Sequence, residues 1–318
     1  MLMQEIKIVV TMDCERPTAD TDPVASGPPN FQMAEIWTRA YANIAAEYGW
    51  PVTFFVHPET AVAQADMFRE LESAGHCLGL HIHAWRFDSH FQCEFGGLSE
   101  AEARAMLSRA IEMWREAFSV PPRYFRQGTL SANDSLFRVL ADLGFRGGSV
   151  SLPGRVFPDK HAVWAGAPLD PHRGHPDFRL LEGPLEFANM PISVDTSQLN
   201  EKDGRQFYWD LRPDFDGLDY LQMARNIVAQ LRERDPAIPC INMLTHNDYD
   251  FADPESRVGR NYRDVLAAIK AACDEANIKT VGATLGEIVD EVLSEPYVAP
   301  EFDKSGGRVF LNVDDRPR

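Results

Sequence analysis

The 318-residue chain sets 31 lysines and arginines against 48 aspartates and glutamates, a net charge of −17, and is 44% hydrophobic. That supplies enough apolar material for one large core and disfavours nucleic acid and anionic membrane surfaces as partners. No apolar run approaches the ~20 residues needed to span a bilayer, and the N-terminal residues show no signal-peptide pattern.

The first element is organised by Lys7–Glu15. Ile8, Val9 and Val10 form a short unbroken apolar run, the pattern of a strand buried on both faces. Asp13 and Glu15 close it at i, i+2, a spacing that points both carboxylates the same way on an extended backbone. Residues 16–32 are rich in Pro, Asp and Gly and read as a loop. Residues 33–48 have helical periodicity. Val52–Val56 reads as a second strand, followed by a helix to Ser73, and Cys77–His81 as a third strand. Ser99 and Glu102 form a capping box before a helical apolar stripe from Met106 to Phe118. Tyr124–Arg126 reads as a fourth strand, and Asn133 as the cap of a helix closed by Gly144.

Residues 151–178, with many Pro, Gly, His and Asp, read as an irregular loop insertion. Leu180-Leu181 and Met190–Val194 are short strand candidates. Leu218–Arg234 is an amphipathic helix and Pro239–Thr245 a second strong buried strand. Helix, strand and helix signals follow at 262–276, 278–281 and 285–293. Serial β-α units without repeats or a low-complexity linker predict a single α/β domain over 1–318 with a parallel, barrel-like sheet.

In such a sheet the C-terminal strand ends converge on one mouth. Asp13 and Glu15 end the first strand, His81 and His83 the third, Arg126 the fourth and His246 the late one. One carboxylate with two imidazoles suits Zn²⁺ or a similar ion with open positions. A second carboxylate suits a base, an arginine its orientation, and a further histidine an acid. A lone histidine after a strand is usually structural; four strand ends carrying such residues are harder to assign to chance.

Over roughly residues 5–285 the sequence resembles the polysaccharide deacetylases, the NodB-homology group of carbohydrate esterase family four. The matching pieces are Thr11–Glu15, Val52–Val56, Gly79–His83, Tyr124–Gly128 and Met243–His246, in the order of the family's motifs. The resemblance implies a distorted seven-unit (β/α) barrel. The implied reaction is metal-dependent removal of N- or O-acetyl groups from sugars, with an Asp-x-Glu first motif of the kind linked to surface-polysaccharide metabolism. It casts Asp13 as catalytic base, Glu15 and His81 as metal ligands, Arg126 as the base's orienting partner and His246 as acid. The implied cofactor is a divalent ion, Zn or alternatively Co, Ni or Mn.

Three departures bear on the site. The family's second metal histidine falls four residues after the first, where this chain has Trp85. His83, sharing a face with His81 if the strand continues, completes the site in the leading reading; His90, or a two-ligand site of Glu15 and His81, are the alternatives. The third motif reads Arg126-Gln127-Gly128 where Arg-x-Pro is usual. The fourth, Asp-x-x-Asp-Trp, has only Tyr208-Trp209-Asp210 as a near match. Trp85, expected to wall the mouth, and Trp209 are the candidate substrate-stacking residues.

The expected partner is a carbohydrate or small amide substrate, with oligomeric state open. The alternatives are a cyclic amide or imide hydrolase on the same fold, or a degenerate, non-catalytic glycan-binding barrel. Cys14, Cys77, Cys93, Cys240 and Cys273 are odd in number and lack paired metal spacing, which favours reduced thiols in a cytoplasmic protein. Cys14 should point away from the mouth into the core, and His57, His76 and the His172/His175 pair read as structural or loop residues.

Overall fold

The computed structural model describes residues 3–18 and 27–298. Strand β1 (Glu5–Cys14) leads to α1 (Phe31–Ala46), β2 (Val52–Val56), α2 (Pro58–Ala63), α3 (Ala65–Ser73) and β3 (Cys77–Ile82). The turn α4 (Ala84–Phe87), α5 (Glu100–Phe118), β4 (Tyr124–Gln127), α6 (Leu136–Asp142) and β5 (Gly147–Gly148) come next. A less regular region holds β6 (Val156–Phe157), β7 (Ala162–Val163), β8 (His172–Arg173) and β9 (Ala188–Asn189). The hairpin β10 (Val194–Lys202) and β11 (Arg205–Asp210) precedes α7 (Tyr220–Arg234), β12 (Cys240–His246), α8 (Arg257–Glu275), β13 (Lys279–Gly282) and α9 (Leu285–Ser294).

The main sheet runs β12-β1-β2-β3-β4-β5-β9-β8; the seven strands from β12 to β9 are parallel, the number expected of the barrel, and β8 adds an antiparallel edge. β13 pairs with the first residues of β1, on the edge that β2 takes further along. Alternation along β1 sorts its side chains. Ile6, Ile8, Val10, Met12 and Cys14 join the large core under the helices. Val9 turns the other way, into a second cluster with Phe55, Tyr124 and the α9 residues Leu285, Ile288 and Val289. The inward stripe therefore climbs from Val9 through Thr11 to Asp13, from apolar floor to ionisable mouth.

The curl closes through a seam rather than a ladder. The N–H groups of Met190, Ile192 and Ser193 donate to the carbonyls of Gly148, Ser151 and Asn242. The Asn242 side-chain amide reaches Ser149 Oγ at 2.9 Å and the carbonyls of Met190 and Pro191 at 3.3 and 3.0 Å. Pro191 has no N–H to give a ladder, which is why the strand expected at Met190–Val194 is a seam, with β10 starting only at Val194.

Other expectations need correction. Leu180-Leu181 forms no strand, and Leu181 is 52% exposed. Asn133 does not cap α6; its Oδ1 accepts from the Ser135 N–H and Oγ–H in the preceding turn. The helix expected from residue 262 begins at Arg257, because the Ser256 side chain accepts from the Gly259 N–H. The Ser99–Glu102 capping box is present. The predicted loop at 16–32 lies partly outside the described residues, and α1 already begins at Phe31.

The β10–β11 hairpin carried a turn signal that the apolar pattern hid. Asp203 and Gly204 both have positive φ, 53° and 73°, the two-residue turn that Asp-Gly favours. β10 is largely solvent-exposed, so it lacks the hydrophobic alternation that marks a half-buried strand. This hairpin pairs with β6 and β7 as a second sheet, in the order β10-β11-β6-β7.

Because Asn242 ties β12 to the seam, Asn242→Ala should lower unfolding free energy by about 1–3 kcal/mol, the cost of orphaning buried carbonyls. Denaturant melts read this directly; an unchanged midpoint would show that the seam does not depend on the amide.

Candidate active site

Strand register sets the mouth. Asp13 lies beside His246 across β1 and β12, and His81 beside Arg126 across β3 and β4. Arg126 is fully buried, its guanidinium 4.2 Å above the Phe55 ring on the apolar floor. Its Nη1 donates to Asp13 Oδ1 at 2.8 Å, and its Nε to the Ser149 carbonyl at 3.2 Å. Burial pulls the Arg126 pKa down, opposed by Asp13. The pair holds Asp13 with one oxygen engaged and the other 3.9 Å from His81 Nδ1.

Glu15, 2% exposed, continues past the end of β1. Asn247 secures this extension: its Oδ1 accepts from the Glu15 N–H at 2.9 Å, and its own N–H donates to the Asp13 carbonyl. Glu15 Oε1 lies 3.1 Å from His81 Nε2 and 3.0 Å from His83 Nε2. Burial raises the Glu15 pKa, but the two imidazoles outweigh it and hold the carboxyl well below its usual range. Burial likewise opposes charge on His83, yet Glu15 and Glu94 lift its pKa to about 9.

The far side of each imidazole is engaged as well. His81 Nδ1 sits 3.0 Å from the Arg126 carbonyl, and His83 Nδ1 2.8 Å from Glu94 Oε1. Both partners are acceptors that hold a proton on Nδ1 whenever Nε2 serves as a ligand atom, and both Nε2 atoms are directed at one carboxylate. Ligand atoms of Glu15, His81 and His83 all lie within 4.8 Å of one another. Two imidazole lone pairs and a carboxylate with orienting partners behind them form a donor set that fits a divalent ion.

The strand does not continue beyond Ile82 as the sequence suggested; His83 is the extended residue that leads into the α4 turn. His81 and His83 nevertheless converge. Gly128 makes this possible: a Cβ at that position would overlap the His83 imidazole. The glycine in place of the usual third-motif proline and the histidine moved to the second position therefore belong to one arrangement.

The expected position of Trp85 needs correction. α4 turns its indole onto Glu94 at 2.9 Å, and Trp85 does not line the cavity above the mouth. Trp209 does line it. His90 is exposed and lies outside the ligand cluster. His57 caps α2, His76 accepts from the Val52 N–H, and buried His172 faces the Asp170 carbonyl. Cys14 is buried in the core with its pKa raised well above normal by burial, unsuited to nucleophilic work.

Three contributors escaped sequence reasoning. Glu94 sits eleven residues after His83 in an irregular stretch, and Asn247 directly follows His246 without a motif of its own. Asp214, in a Pro- and Asp-rich loop, accepts from Thr245 Oγ1 at 2.6 Å and lies 3.3 Å from His246 Nδ1. Burial lowers the His246 pKa, but Asp214 and Asp13 overcome it and the net shift is upward. The cavity, about 570 Å³, reaches from Asp13, Glu15 and His246 to a wall formed by Phe157, Tyr208 and Trp209.

Residues 26–148 match the family model described as Polysaccharide deacetylase. The sequence resemblance is borne out. The matched stretch contains His81, His83 and Arg126, while Asp13, Glu15 and His246 lie outside it. A Mycobacterium smegmatis protein assigned as a polysaccharide deacetylase shares the fold at 18% identity and TM-score 0.57, covering 95% of this chain and 96% of that one. PuuE allantoinase is similar at 14% identity and TM-score 0.56, covering 92% of each chain. A Pseudomonas aeruginosa PAO1 protein assigned as a polysaccharide deacetylase has 14% identity and TM-score 0.53, covering 92% of this chain and 91% of that one. No curated protein sequence matches the chain. The fold is thus the polysaccharide deacetylase (β/α) barrel, and among the described residues no helix is long and apolar enough to cross a membrane.

The ligand geometry makes a ranked prediction. His83→Ala and His81→Ala should each abolish retention of a divalent ion after desalting, and Gly128→Ala should reduce it by displacing the His83 ring. His90→Ala should retain metal like the parent protein. Elemental analysis of the four variants decides, and loss confined to His90→Ala would overturn the assignment.

Proposed function

We propose that the protein is a metal-dependent hydrolase of the Asp-x-Glu branch that removes an acetyl group from an N- or O-acetylated sugar in surface-polysaccharide metabolism. We further propose that it works as one domain in a reducing, cytoplasmic compartment, a reading supported by its five free cysteines. One observation carries the reaction: the Arg126-held Asp13 carboxylate lies beside the Glu15–His81–His83 cluster, and His246 opens on the same cavity.

A divalent ion held by Glu15, His81 and His83 would polarise the acyl oxygen and acidify a bound water. Asp13 accepts the water's proton, and Arg126 fixes the carboxylate so that its second oxygen faces the cluster. His246 donates a proton to the departing nitrogen or oxygen of the sugar. Asp214 favours the charged imidazolium and orients the ring through Nδ1. Trp209, packed edge-on against Phe207 and Phe215, offers its indole to a sugar face.

The cyclic-amide reading draws support from the aromatic wall of Phe157, Tyr208 and Trp209, against which a single planar ring can pack. Incubation with acetylated sugars should release acetate, and a chelator should abolish the release. Ring opening of a cyclic ureide or imide without acetate release would favour the second reading.

Asp13→Asn should lower turnover roughly 10²–10⁴-fold with little change in ligand affinity. A variant that retains full turnover would remove Asp13 from the reaction.

The pH profile follows from the sign of the His246 shift. An acid with its pKa raised above the ordinary 6.5 stays protonated past that value and fails as pH rises through the shifted one. The alkaline limb of kcat should therefore lie above pH 6.5 and move to lower pH in Asp214→Asn. A limb unmoved by that substitution would assign it to another group.

A further inference from the structure

Among the described residues the cavity's cations away from its exposed rim are paired, with one exception. Arg126 holds Asp13, and His81 and His83 flank Glu15. His246 faces Asp214 at 3.3 Å. Arg212 takes both oxygens of Asp210, each at 3.2 Å. On the anionic side Asp248 stands apart: burial raises its pKa to about 6, which still leaves it mostly ionised at neutral pH.

Arg155 lines the same cavity, and no carboxylate forms an ion pair with it among the described residues. Its Nη1 donates to the Thr129 carbonyl at 3.0 Å, its Cζ lies 4.7 Å from the Phe157 ring centroid, and its buried Nε has no partner. Asp210 attracts it, but that carboxylate is already occupied by Arg212. Burial and the nearby cations Arg212 and Arg205 pull the Arg155 pKa down to about 9. A partly desolvated guanidinium without a counter-ion is costly unless an anion arrives to pair with it. Lys202, on β10, adds a second cationic side chain at the exposed end of the cavity.

We propose that the substrate is an acidic one: a carboxylate or phosphate on the sugar pairs with Arg155, assisted by Lys202, while its ring lies between the aromatic wall and the Asp13–His246 mouth. This rests on the deacetylase reading for the reaction but not for the recognition. Arg155 and Lys202 come from the second sheet and its flank, not from the barrel. The acidic group would thus be read by elements separate from those that hold the reacting atoms.

The test measures binding and turnover separately. Calorimetry on the full-length Asp13→Asn protein, loaded with Zn²⁺, compares N-acetylglucosamine, N-acetylmuramic acid and N-acetylglucosamine 6-phosphate. At least one acidic sugar should bind ~10-fold or more tightly than the neutral one, the scale of a charge-assisted hydrogen bond. Which of the two wins distinguishes carboxylate from phosphate. Adding Arg155→Gln should bring the acidic-to-neutral ratio to within about twofold, whereas Arg155→Lys, which keeps the charge, should preserve part of it. Equal affinity for all three sugars, binding of none, or a preference that survives Arg155→Gln would overturn the proposal. The three-sugar comparison on the Asp13→Asn protein decides even if the Arg155 variants do not fold. Acetate release from the active protein is scored independently: an intact acidic preference without acetate release would reject the deacetylase reading and leave the anion site standing.

Discussion

A carboxylate buried to 2% exposure between two imidazoles is the constraint on which the mouth depends. An uncompensated ion in such surroundings costs several kcal/mol. Arg86 Nη1, 3.6 Å from Glu15 Oε1, supplies part of the compensating charge, and His81 and His83 present their Nε2 atoms to the same oxygen. Both rings are committed at Nδ1, to the Arg126 carbonyl and to Glu94. Only a proton or a cation between the rings and the carboxylate can satisfy all three. Asn247 holds the backbone that delivers Glu15, and Gly128 leaves the space that His83 fills. The same Arg126 supplies a carbonyl to His81 and a guanidinium to Asp13, so the metal-ligand cluster and the base share one support.

Placing charged groups at the top of a parallel barrel is affordable because the floor is dry and closed. Phe55 and Val9 belong to an interior cluster sealed by Leu285, Ile288 and Val289 of α9. Arg126 lies flat on that floor, its guanidinium over Phe55. The low-dielectric floor strengthens the Arg126–Asp13 attraction and fixes the carboxylate's direction. On the outer face, Ile8, Val10 and Met12 carry the helices, so the strand that ends in the two acids is packed on both sides.

Much of this was legible because strands impose a period of two. Asp13 and Glu15 at i, i+2 had to share a direction, and Cys14 between them had to leave it. The apolar runs before Asp13 and His246 marked two buried parallel strands, which align in register with Asp13 beside His246. The legible part ends where the backbone stops being periodic. Trp85 was placed by extending β3, but α4 begins at Ala84 and turns the indole toward Glu94. Glu94 and Asp214 act from loops, where spacing carries no directional information. The β10–β11 hairpin is mostly solvated, so its chief sequence mark was Asp203-Gly204 rather than an apolar stripe.

The departures from the family pattern form a coherent set once these contacts are combined. A histidine at the fourth position after His81 would sit within the α4 turn; here that position is Trp85, and its indole helps hold Glu94 for His83. His83 can reach Glu15 only if residue 128 offers no side-chain atom against its ring, and Gly128 meets that condition. Trp85, Glu94, His83 and Gly128 thus act as one unit, in which a change to any member alters the direction of an Nε2 lone pair. Trp209 and Lys202 reach the cavity from the second sheet, which touches that unit only at its flank, where Arg155 bonds the Thr129 carbonyl beside Gly128 and His161 accepts from Ala132. Substitutions on the exposed face of β10 can consequently change substrate preference without touching the ligand atoms, whereas changes at Arg155 act next to Gly128 and so next to His83.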